Sequence, residues 1–322
     1  MSYHETTRAV YREAALKPQA SLCCAAGPAF RLPGLDIPVE MKSMNYGCGT
    51  TVHIQDLSPD HDILYIGVGG GLEALQFAYF TRRPRSVLAL DAVPEMLEKA
   101  RANLRLAEAS NPWFQSEFVD LMEGDALDIP LPEARVDIVA QNCLFNIFTE
   151  HDLDRALAEA GRVLRQGGRL IISDPICEER IPDHLRNNER LRAECLSGAI
   201  PLPEYLHRVV AAGFGTIEIR ARRPCRVLDR ERYRVNRDLM LGTVEVVAVK
   251  TPVPDDGACV FAGETVIYLG DKDHFDDGRG HLVQRDVPLS VCRKTARRFR
   301  DMARDDLVVT PPTWHYAGGG CC

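Results

Sequence analysis

Eleven cysteines are spread along a chain of 322 residues, and the surroundings of two of them suggest chemistry. Cys48 lies between two glycines in MNYGCGT (44–50), and Cys195 lies in ECLSGAI (194–200). Glycine lets a ligand come close to the backbone and permits positive φ angles. A cysteine in such a place is either a packed apolar residue or a thiol presented to a bound species. The two lie 147 residues apart (195 − 48), so only the fold can bring them together.

A second glycine-rich stretch, YIGVGGG (65–71), suggests a cradle for a nucleoside. Gly67, Gly69 and Gly71 follow a short apolar run and precede a helical pattern, which lets a ligand approach the backbone. Asp91 ends the next apolar run, 20 residues after Gly71 (91 − 71), where an acid accepts hydrogen bonds from ribose hydroxyls. Leu72 stands where dinucleotide-binding loops have a third glycine, so the loop favours a nucleoside without phosphates.

The composition excludes several classes of protein. With 39 basic and 46 acidic residues the net charge is −7, which argues against nucleic acid as a partner. The charged N-terminus does not resemble a secretory signal, and no apolar run is long enough to predict a membrane span. We therefore expect a cytoplasmic protein without a membrane partner. In that reducing compartment, thiols are more often ligands, redox groups or buried apolar residues than disulfides.

The elements that must position these residues alternate between strands and helices. A first helix is predicted over residues 6–16. Apolar runs then predict strands at DILYIGV, SVLALD, VDIVAQN and GGRLIISD, with amphipathic helices between them. This alternation indicates βαβ units and a parallel sheet covered on both faces. Beyond residue 174 the pattern becomes helical with Pro and Gly interruptions. TIEIRARR and TVEVVAVK then predict two strands, each with one solvent-exposed face.

Together these features resemble the class I S-adenosylmethionine-dependent methyltransferases. The resemblance implies an α/β Rossmann-like fold with a mostly parallel seven-stranded sheet. It also implies an N-terminal cap (1–60), a cofactor-binding core (61–250) with a helical insert (about 175–215), and a small β-containing C-terminal domain (251–322). One departure is Tyr65, which replaces the acid that normally meets the methionine part of the cofactor. The implied cofactor-binding residues are Tyr46, Gly67, Gly69, Gly71, Asp91, Ala92, Asp125, Ala126, Asn142 and Cys143.

The cysteine motifs sharpen the resemblance to arsenite methyltransferases of the arsenosugar-biosynthesis type. YGCG (46–49), QNCLFNI (141–147), the pair Ser173-Asp174 and ECLSGAI match motifs of that family. The resemblance implies that Cys48 and Cys195 bind trivalent arsenic, a soft ion that prefers thiolates. The arsenic lone pair would then attack the methyl group of S-adenosylmethionine in line, without a general base. Arsenite and methylarsenite are the implied substrates, and glutathione or thioredoxin the implied reductant.

A third arsenic ligand is not evident, because NRDLMLGTVEVVAVK (236–250) holds no cysteine where family members have one. Cys225 in a neighbouring loop is one substitute. Two protein thiols with a small-molecule thiol are a second solution. Delivery by the terminal pair Cys321 and Cys322, after the AGGG tether, is a third, and Cys23 and Cys24 match the family's N-terminal cysteines. Cys177, Cys259 and Cys292 are interpreted as structural.

Two other functions stay open at this point. One is methylation of another small molecule, such as a thiol or a different metalloid. The other is a thiol-rich protein that binds arsenite or a soft metal through an inactive core, which Tyr65 alone favours. Binding of S-adenosylmethionine distinguishes the second from an enzyme. Nothing in the sequence indicates the oligomeric state.

Overall fold

A computed structural model of the chain describes residues 2–19, 22 and 32–313. The predicted roles of Cys23, Cys24, Cys321 and Cys322 fall outside these residues. Within the described part, the α-helices are α1 Tyr3–Leu16, α2 Val39–Ser43, α3 Leu72–Thr81, α4 Pro94–Ser110, α5 Glu150–Val163, α6 Asp183–Arg186, α7 Glu189–Ala193, α8 Leu202–Ala211, α9 Arg230–Tyr233 and α10 Arg293–Asp301. Short 3-10 turns occur at Ile54–Asp56, Ser116–Phe118 and Phe145–Ile147.

The strands follow the predicted alternation with the helices. They are β1 Ile63–Ile66, β2 Val87–Asp91, β3 Val119–Glu123, β4 Val136–Asn142, β5 Leu164–Cys177, β6 Ile200–Pro201, β7 Thr216–Leu228, β8 Leu239–Val249, β9 Cys259–Phe261, β10 Thr265–Tyr268, β11 His274–Asp276, β12 Leu282–Gln284, β13 Leu289–Ser290 and β14 Leu307–Val309. The predicted first helix is present and begins at Tyr3, three residues before its predicted start at residue 6.

The central sheet has the order β3-β2-β1-β4-β5-β8-β7-β9, with β6 paired to β5. The pairs from β3 to β5 are parallel, whereas β8 runs antiparallel to both β5 and β7. This is the class I methyltransferase fold that was predicted. The described sheet has nine strands rather than seven. The additional strands are β6, which pairs with the far end of β5, and β9, which covers the edge of β7.

The prediction of one solvent-exposed face fits β7 and is wrong for β8. Along the first half of β7, buried and partly exposed residues alternate. In β8, six consecutive residues (243–248) are buried. The reason is that apolar layers cover both faces of β8, because Val244, Val246 and Ala248 pack with α5 and α8, whereas Val247 packs in the layer of α3 and α4.

Two apolar layers sandwich the sheet and fix the direction of its side chains. Leu64 and Ile66 of β1 pack in the layer that contains α5 and α8, whereas Ile63 and Tyr65 pack with α3 and α4. This alternation follows from the two-residue period of a strand. The carboxyl ends of β1, β2 and β4 therefore meet at one edge, where ligands of open α/β sheets bind.

The residues after 262 form a separate apolar cluster around two small antiparallel sheets and α10. One sheet has the order β13-β10-β14, and the other pairs β11 with β12. The division of the chain into three domains stays a prediction. Across the described part of the chain, no helix combines the length and the apolar character that crossing a bilayer requires.

Candidate active site

A cavity that is partly open to solvent lies at the carboxyl edge of the sheet. Its floor is formed by the loops that follow β1, β2, β3 and β4, and residues of α1 cover it. Among the residues predicted to bind the cofactor, those on its walls are Tyr46, Gly67, Gly69, Asp91, Ala92, Asp125, Ala126, Asn142 and Cys143.

Gly71 is brought to a different place. It is the residue before α3, its φ is 87°, and a Cβ there would lie 3.7 Å from Ala100 and Leu104 of α4. Gly70 lines the cavity instead, and a Cβ on it would lie 2.8 Å from the side chain of Met44. Gly71 therefore lets the glycine loop turn into α3 against α4, rather than making room for a ligand.

Asp91 closes β2 and faces the cavity with its carboxylate already oriented. Its Oδ2 accepts the N–H of Val68 at 3.0 Å, and its Oδ1 accepts the N–H of Val93 at 2.9 Å. The backbone N–H groups of Gly69 and Ala92 also bond to this carboxylate. Burial raises the pKa of Asp91 to about 6, although the backbone N–H groups oppose that shift.

A buried acid lies beside Tyr65, the residue that departs from the methyltransferase pattern. Glu73, in the first turn of α3, lines the cavity together with Tyr65 and is 5% exposed. Its carboxylate accepts the N–H of Thr51 at 2.9 Å and the Thr51 hydroxyl at 2.8 Å, and it also bonds to Tyr65. Burial raises the pKa of Glu73. A carboxylate on the next helix therefore lies beside the position of β1 from which the acid is absent.

The two predicted arsenic-binding cysteines share a buried cluster that adjoins the cavity through Cys143 and Ile147. Cys48 and Cys195 are free thiols with 6% and 1% exposure, and they pack with Cys143 and Ile147. Tyr11 of α1 packs against the same cluster. The fold therefore brings together two thiols that are far apart in sequence. Their role as ligands stays a prediction.

The loop that carries Cys48 is fixed to the ends of β4 and β8. The N–H of Cys48 donates to Asn142 Oδ1 at 3.0 Å, Asn142 Nδ2 donates to the carbonyl of Gly49 at 3.1 Å, and the N–H of Thr50 donates to Glu245 at 3.1 Å. Cys48 Sγ lies 3.6 Å from the hydroxyl of Ser173. The thiol is thereby held against the end of β5.

The glycines beside Cys48 lie very close to side chains of neighbouring strands. Neither Gly47 nor Gly49 is among the residues with positive φ. A Cβ on Gly47 would lie 2.5 Å from Asn142, and one on Gly49 would lie 2.5 Å from the Ser173 hydroxyl. Both glycines let the loop pack closely against Asn142 and Ser173, which positions the thiol, and Gly47 also lines the cavity.

Cys195 has a strained backbone that its neighbours stabilise. Its φ is 59°, in the left-handed region that side chains rarely occupy, and Cys143 has a φ of 65°. Asn146 donates to the carbonyl of Cys195 at 2.9 Å, and the thiol of Cys195 donates to the carbonyl of Cys143 at 3.1 Å. Tyr11 Oη lies 3.8 Å from the same thiol.

Cys225, the predicted substitute for a third ligand, lies in β7 and packs partly against the thiol cluster. Cys225 and Cys143 are both disulfide-bonded in this structure. Within the described ranges, no cluster of three or more His, Cys, Asp or Glu residues has the arrangement of a metal site. The geometry therefore offers a pair of free protein thiols.

Both free thiols are held in their neutral form. Burial, and then the nearby carboxyl of Asp174, raises the pKa of Cys48 well above its ordinary value. Burial raises the pKa of Cys195 to about 12. Asp174 accepts bonds from Tyr205 at 2.5 Å and Gln141 at 2.7 Å, and burial raises its pKa to about 7.

The contribution of α1 to the cavity is not identified in the sequence analysis. Tyr3, Thr7 and Tyr11 line the cavity and recur every four residues, so they form one face of the helix. This spacing is the signal that could have indicated them. Arg8 also lines the cavity and lies 3.5 Å from Asp125.

Comparison with known proteins gives the same picture. Residues 64–172 match a family model described as a methyltransferase domain. An arsenite methyltransferase of Aquipseudomonas alcaligenes is 28% identical over 88% of this chain and 82% of its own length. The chain is thus similar in sequence to arsenite methyltransferases over most of its length. A second such enzyme, from Halobacterium salinarum, is 28% identical over 55% of this chain, and the match spans 43% of its own length.

The fold of this chain also resembles that of a solved structure. An arsenic(III) S-adenosylmethionine methyltransferase from Chlamydomonas reinhardtii superposes with a TM-score of 0.61 at 22% identity. The superposition covers 90% of this chain and 98% of the algal protein. At this identity the likeness establishes the fold.

Proposed function

We propose that this protein transfers methyl groups from S-adenosylmethionine to trivalent arsenic bound by Cys48 and Cys195. The observation that carries the proposal is the pair of buried free thiols that pack with Cys143 and Ile147, two residues of the cavity wall. Trivalent arsenic prefers soft sulfur donors, and the described residues offer it no competing metal-type cluster at this site. The similarity to arsenite methyltransferases over most of the chain supports the same conclusion.

The cavity fits S-adenosylmethionine through residues at its two ends. Asp91 lines the cavity at the end of β2, where it would meet the ribose, and Asp125 lies in the loop after β3, where it would meet the adenine. Glu73 lies at the deeper end with Tyr65, and we propose that its carboxylate binds the ammonium group of the methionine part. When bound, S-adenosylmethionine supplies an electrophilic methyl group on its sulfonium. The short loop at Gly67 and Gly69 leaves room for the cofactor beside the backbone.

The neutral thiols suit ligand exchange with arsenous acid, which is itself uncharged near neutral pH. As(OH)₃ and two thiols give As(OH)(SR)₂ and two molecules of water, so arsenic stays trivalent and each thiol proton leaves in water. No charge has to enter the buried cluster at this stage, which avoids a large desolvation cost. The arsenic lone pair would then attack the methyl group in line, so that an As–C bond forms, the S–C bond of the sulfonium breaks and S-adenosylhomocysteine leaves. Arsenic becomes formally pentavalent in this step, and two electrons from the thiol reductant would return it to methylarsenite. Positioning by the protein would supply much of the rate advantage.

We further propose that a thiol reductant such as glutathione or thioredoxin acts with the enzyme, and that the reaction takes place in the cytoplasm. The disulfide at Cys225 supports the need for a reductant, because only its reduction would return a thiol beside the cluster. The reduced Cys225 is then the candidate third ligand. Methylarsenite would re-enter the same site for a second transfer.

A product assay tests the proposal. The full chain is mixed with S-adenosylmethionine, arsenite and a thiol reductant, and the arsenic species are separated and quantified. We expect methylated arsenic from the unaltered chain and from Cys177→Ser. Cys177 is a suitable control because it is also a buried free thiol, but it packs in a different cluster.

The variants Cys48→Ser and Cys195→Ser should lose most of the arsenic methylation while they keep cofactor binding. Cofactor binding without any methylated arsenic from the unaltered chain would point to another small-molecule acceptor. Absence of cofactor binding would instead favour the thiol-rich binding protein. Equal activity in all three cysteine variants would refute the assignment of the two ligands.

A further inference from the structure

A second pair of free thiols lies at the junction between the central sheet and the C-terminal residues. In sequence, this pair is distant from the residues that line the cofactor cavity. Cys259 begins β9, the edge strand that pairs with β7, and Cys292 immediately precedes α10. Both are free cysteines. Their side chains are within hydrogen-bonding reach of each other. Both cysteines are interpreted as structural from the sequence. They are 33 residues apart (292 − 259), so the sequence does not indicate that they are in contact.

The two thiols open onto a surface pocket. Cys259 is partly exposed, whereas Cys292 is buried with 4% exposure, so one sulfur lies at the surface and the other lies behind it. The pocket is also lined by Arg279, His281 and Lys294. A ligand can therefore enter from solvent and reach both sulfurs.

The surroundings of the pair support thiol chemistry. Lys294 is held beside Cys259 by hydrogen bonds from its ammonium to Asp256 at 2.5 Å and to the carbonyl of Gly257 at 2.7 Å. Cys292 donates its thiol hydrogen to the hydroxyl of Thr295 at 3.3 Å. Burial and the neighbouring Cys292 raise the pKa of Cys259, and the ammonium of Lys294 opposes that rise.

We propose that Cys259 and Cys292 form a second binding site for trivalent arsenicals, separate from the methyl-transfer cavity. The choice of arsenic as ligand rests on the proposed function, whereas the existence of a dithiol site does not. Two adjacent thiols chelate an arsenical that has two exchangeable oxygens. An arsine oxide R–As=O and two thiols give R–As(SR′)₂ and one molecule of water. Two As–S bonds form, both thiol protons leave with the oxygen, and arsenic stays trivalent.

Chelation predicts a large difference between two thiols and one. Once the first As–S bond has formed, the second thiol reacts as if it were present at very high concentration. Linked binding of this kind strengthens affinity by on the order of 100-fold or more. Removal of either cysteine should therefore weaken the site much more than the loss of one of two independent sites would.

Phenylarsine oxide is the probe for this site. The full chain, reduced with a phosphine, is incubated with increasing phenylarsine oxide and then briefly alkylated with N-ethylmaleimide without denaturation. Peptide mass spectrometry quantifies the alkylation of Cys259, which is the exposed member of the pair. We expect protection of Cys259 and a peptide pair that joins Cys259 to Cys292 through one phenylarsenic group. The readout needs neither S-adenosylmethionine nor methylation, so it is independent of the proposed function.

The variant Cys292→Ser provides the comparison. It should raise the phenylarsine oxide concentration for half-protection of Cys259 by on the order of 100-fold. Cys177→Ser should leave that concentration unchanged. Equal protection of Cys259 with and without Cys292 would overturn the proposal. If the variant does not fold, the bridged peptide from the unaltered chain decides, because its absence at saturating probe also overturns the proposal.

Discussion

Replacing Glu73 by Gln tests whether the acid moved from β1 to α3 takes over recognition of the cofactor's ammonium group. The substitution changes the charge and preserves the shape. Gln keeps the oxygen that accepts the N–H of Thr51, and its amide nitrogen can donate to the Thr51 hydroxyl, which accepts as well as donates. The local structure should therefore survive, and the negative charge should disappear from the wall of the cavity.

The size of the effect follows from the strength of one charged hydrogen bond. A hydrogen bond to a charged group contributes about 1.5–3 kcal/mol. Each 1.4 kcal/mol corresponds to a tenfold change in Kd, so Glu73→Gln should weaken binding of S-adenosylmethionine by roughly 10- to 150-fold. Tyr65→Phe removes the hydroxyl beside Glu73 but keeps the charge, so its effect should be smaller.

Calorimetric titration with two ligands separates recognition from damage. S-adenosylhomocysteine carries the amino-acid part, whereas 5′-methylthioadenosine lacks it and keeps the adenosine. Glu73→Gln should weaken the first and leave the second within about twofold, the level of change expected where no contact is lost. An equal loss for both ligands would refute the assignment, because the carboxylate would then act on the structure of the whole cavity.

Three further outcomes are expected. Asp91 has a pKa of about 6 in the folded chain, above its unfolded value, so ionisation of Asp91 lowers the stability of the fold as pH rises through 6. Binding of the ribose needs the ionised carboxylate. The Kd for the cofactor, measured by titration, should therefore rise about tenfold for each pH unit below 6. Cys195→Ser should slow arsenite methylation by on the order of 100-fold with unchanged cofactor Kd, because one arsenic ligand is lost. Gly198→Ala puts a Cβ 1.7 Å from the carbonyl oxygen of Asn146, so thermal unfolding should reveal a loss of about 3 kcal/mol or more.

The parts of the fold that depend on local pattern are predictable from the sequence. The alternation of strands and helices predicts the parallel half of the sheet. The reason is that the pattern of apolar residues within each segment indicates both its secondary structure and its buried face. The burial of both faces of β8 does not follow from its own residues. It depends on the helices of the two apolar layers, which cover β8 only in the folded sheet.

The candidate site divides in the same way. Asp91 and Gly67 follow from a motif in which spacing along the chain determines position at the strand ends. Tyr11 and Glu73 reach the cavity from helices, and no local spacing relates α1 to the end of β4. The packing of α1 against α4 and α7 determines that relation. The glycines beside Cys48 illustrate what a motif leaves undetermined. Their presence indicates that the backbone comes close to another group, but it does not identify Asn142 and Ser173 as that group.

The strain at Cys195 gives a physical reason for the placement of the thiols. A non-glycine residue in a sparsely populated backbone region costs on the order of 1–3 kcal/mol and persists only where its surroundings impose it. Here Asn146 holds the carbonyl of Cys195, and the thiol of Cys195 donates to the carbonyl of Cys143, which has positive φ as well. The two strained residues therefore support each other at the wall of the cavity. A thiol held in this way loses little conformational freedom when it binds an ion, so the cost of ordering is met during folding rather than during binding.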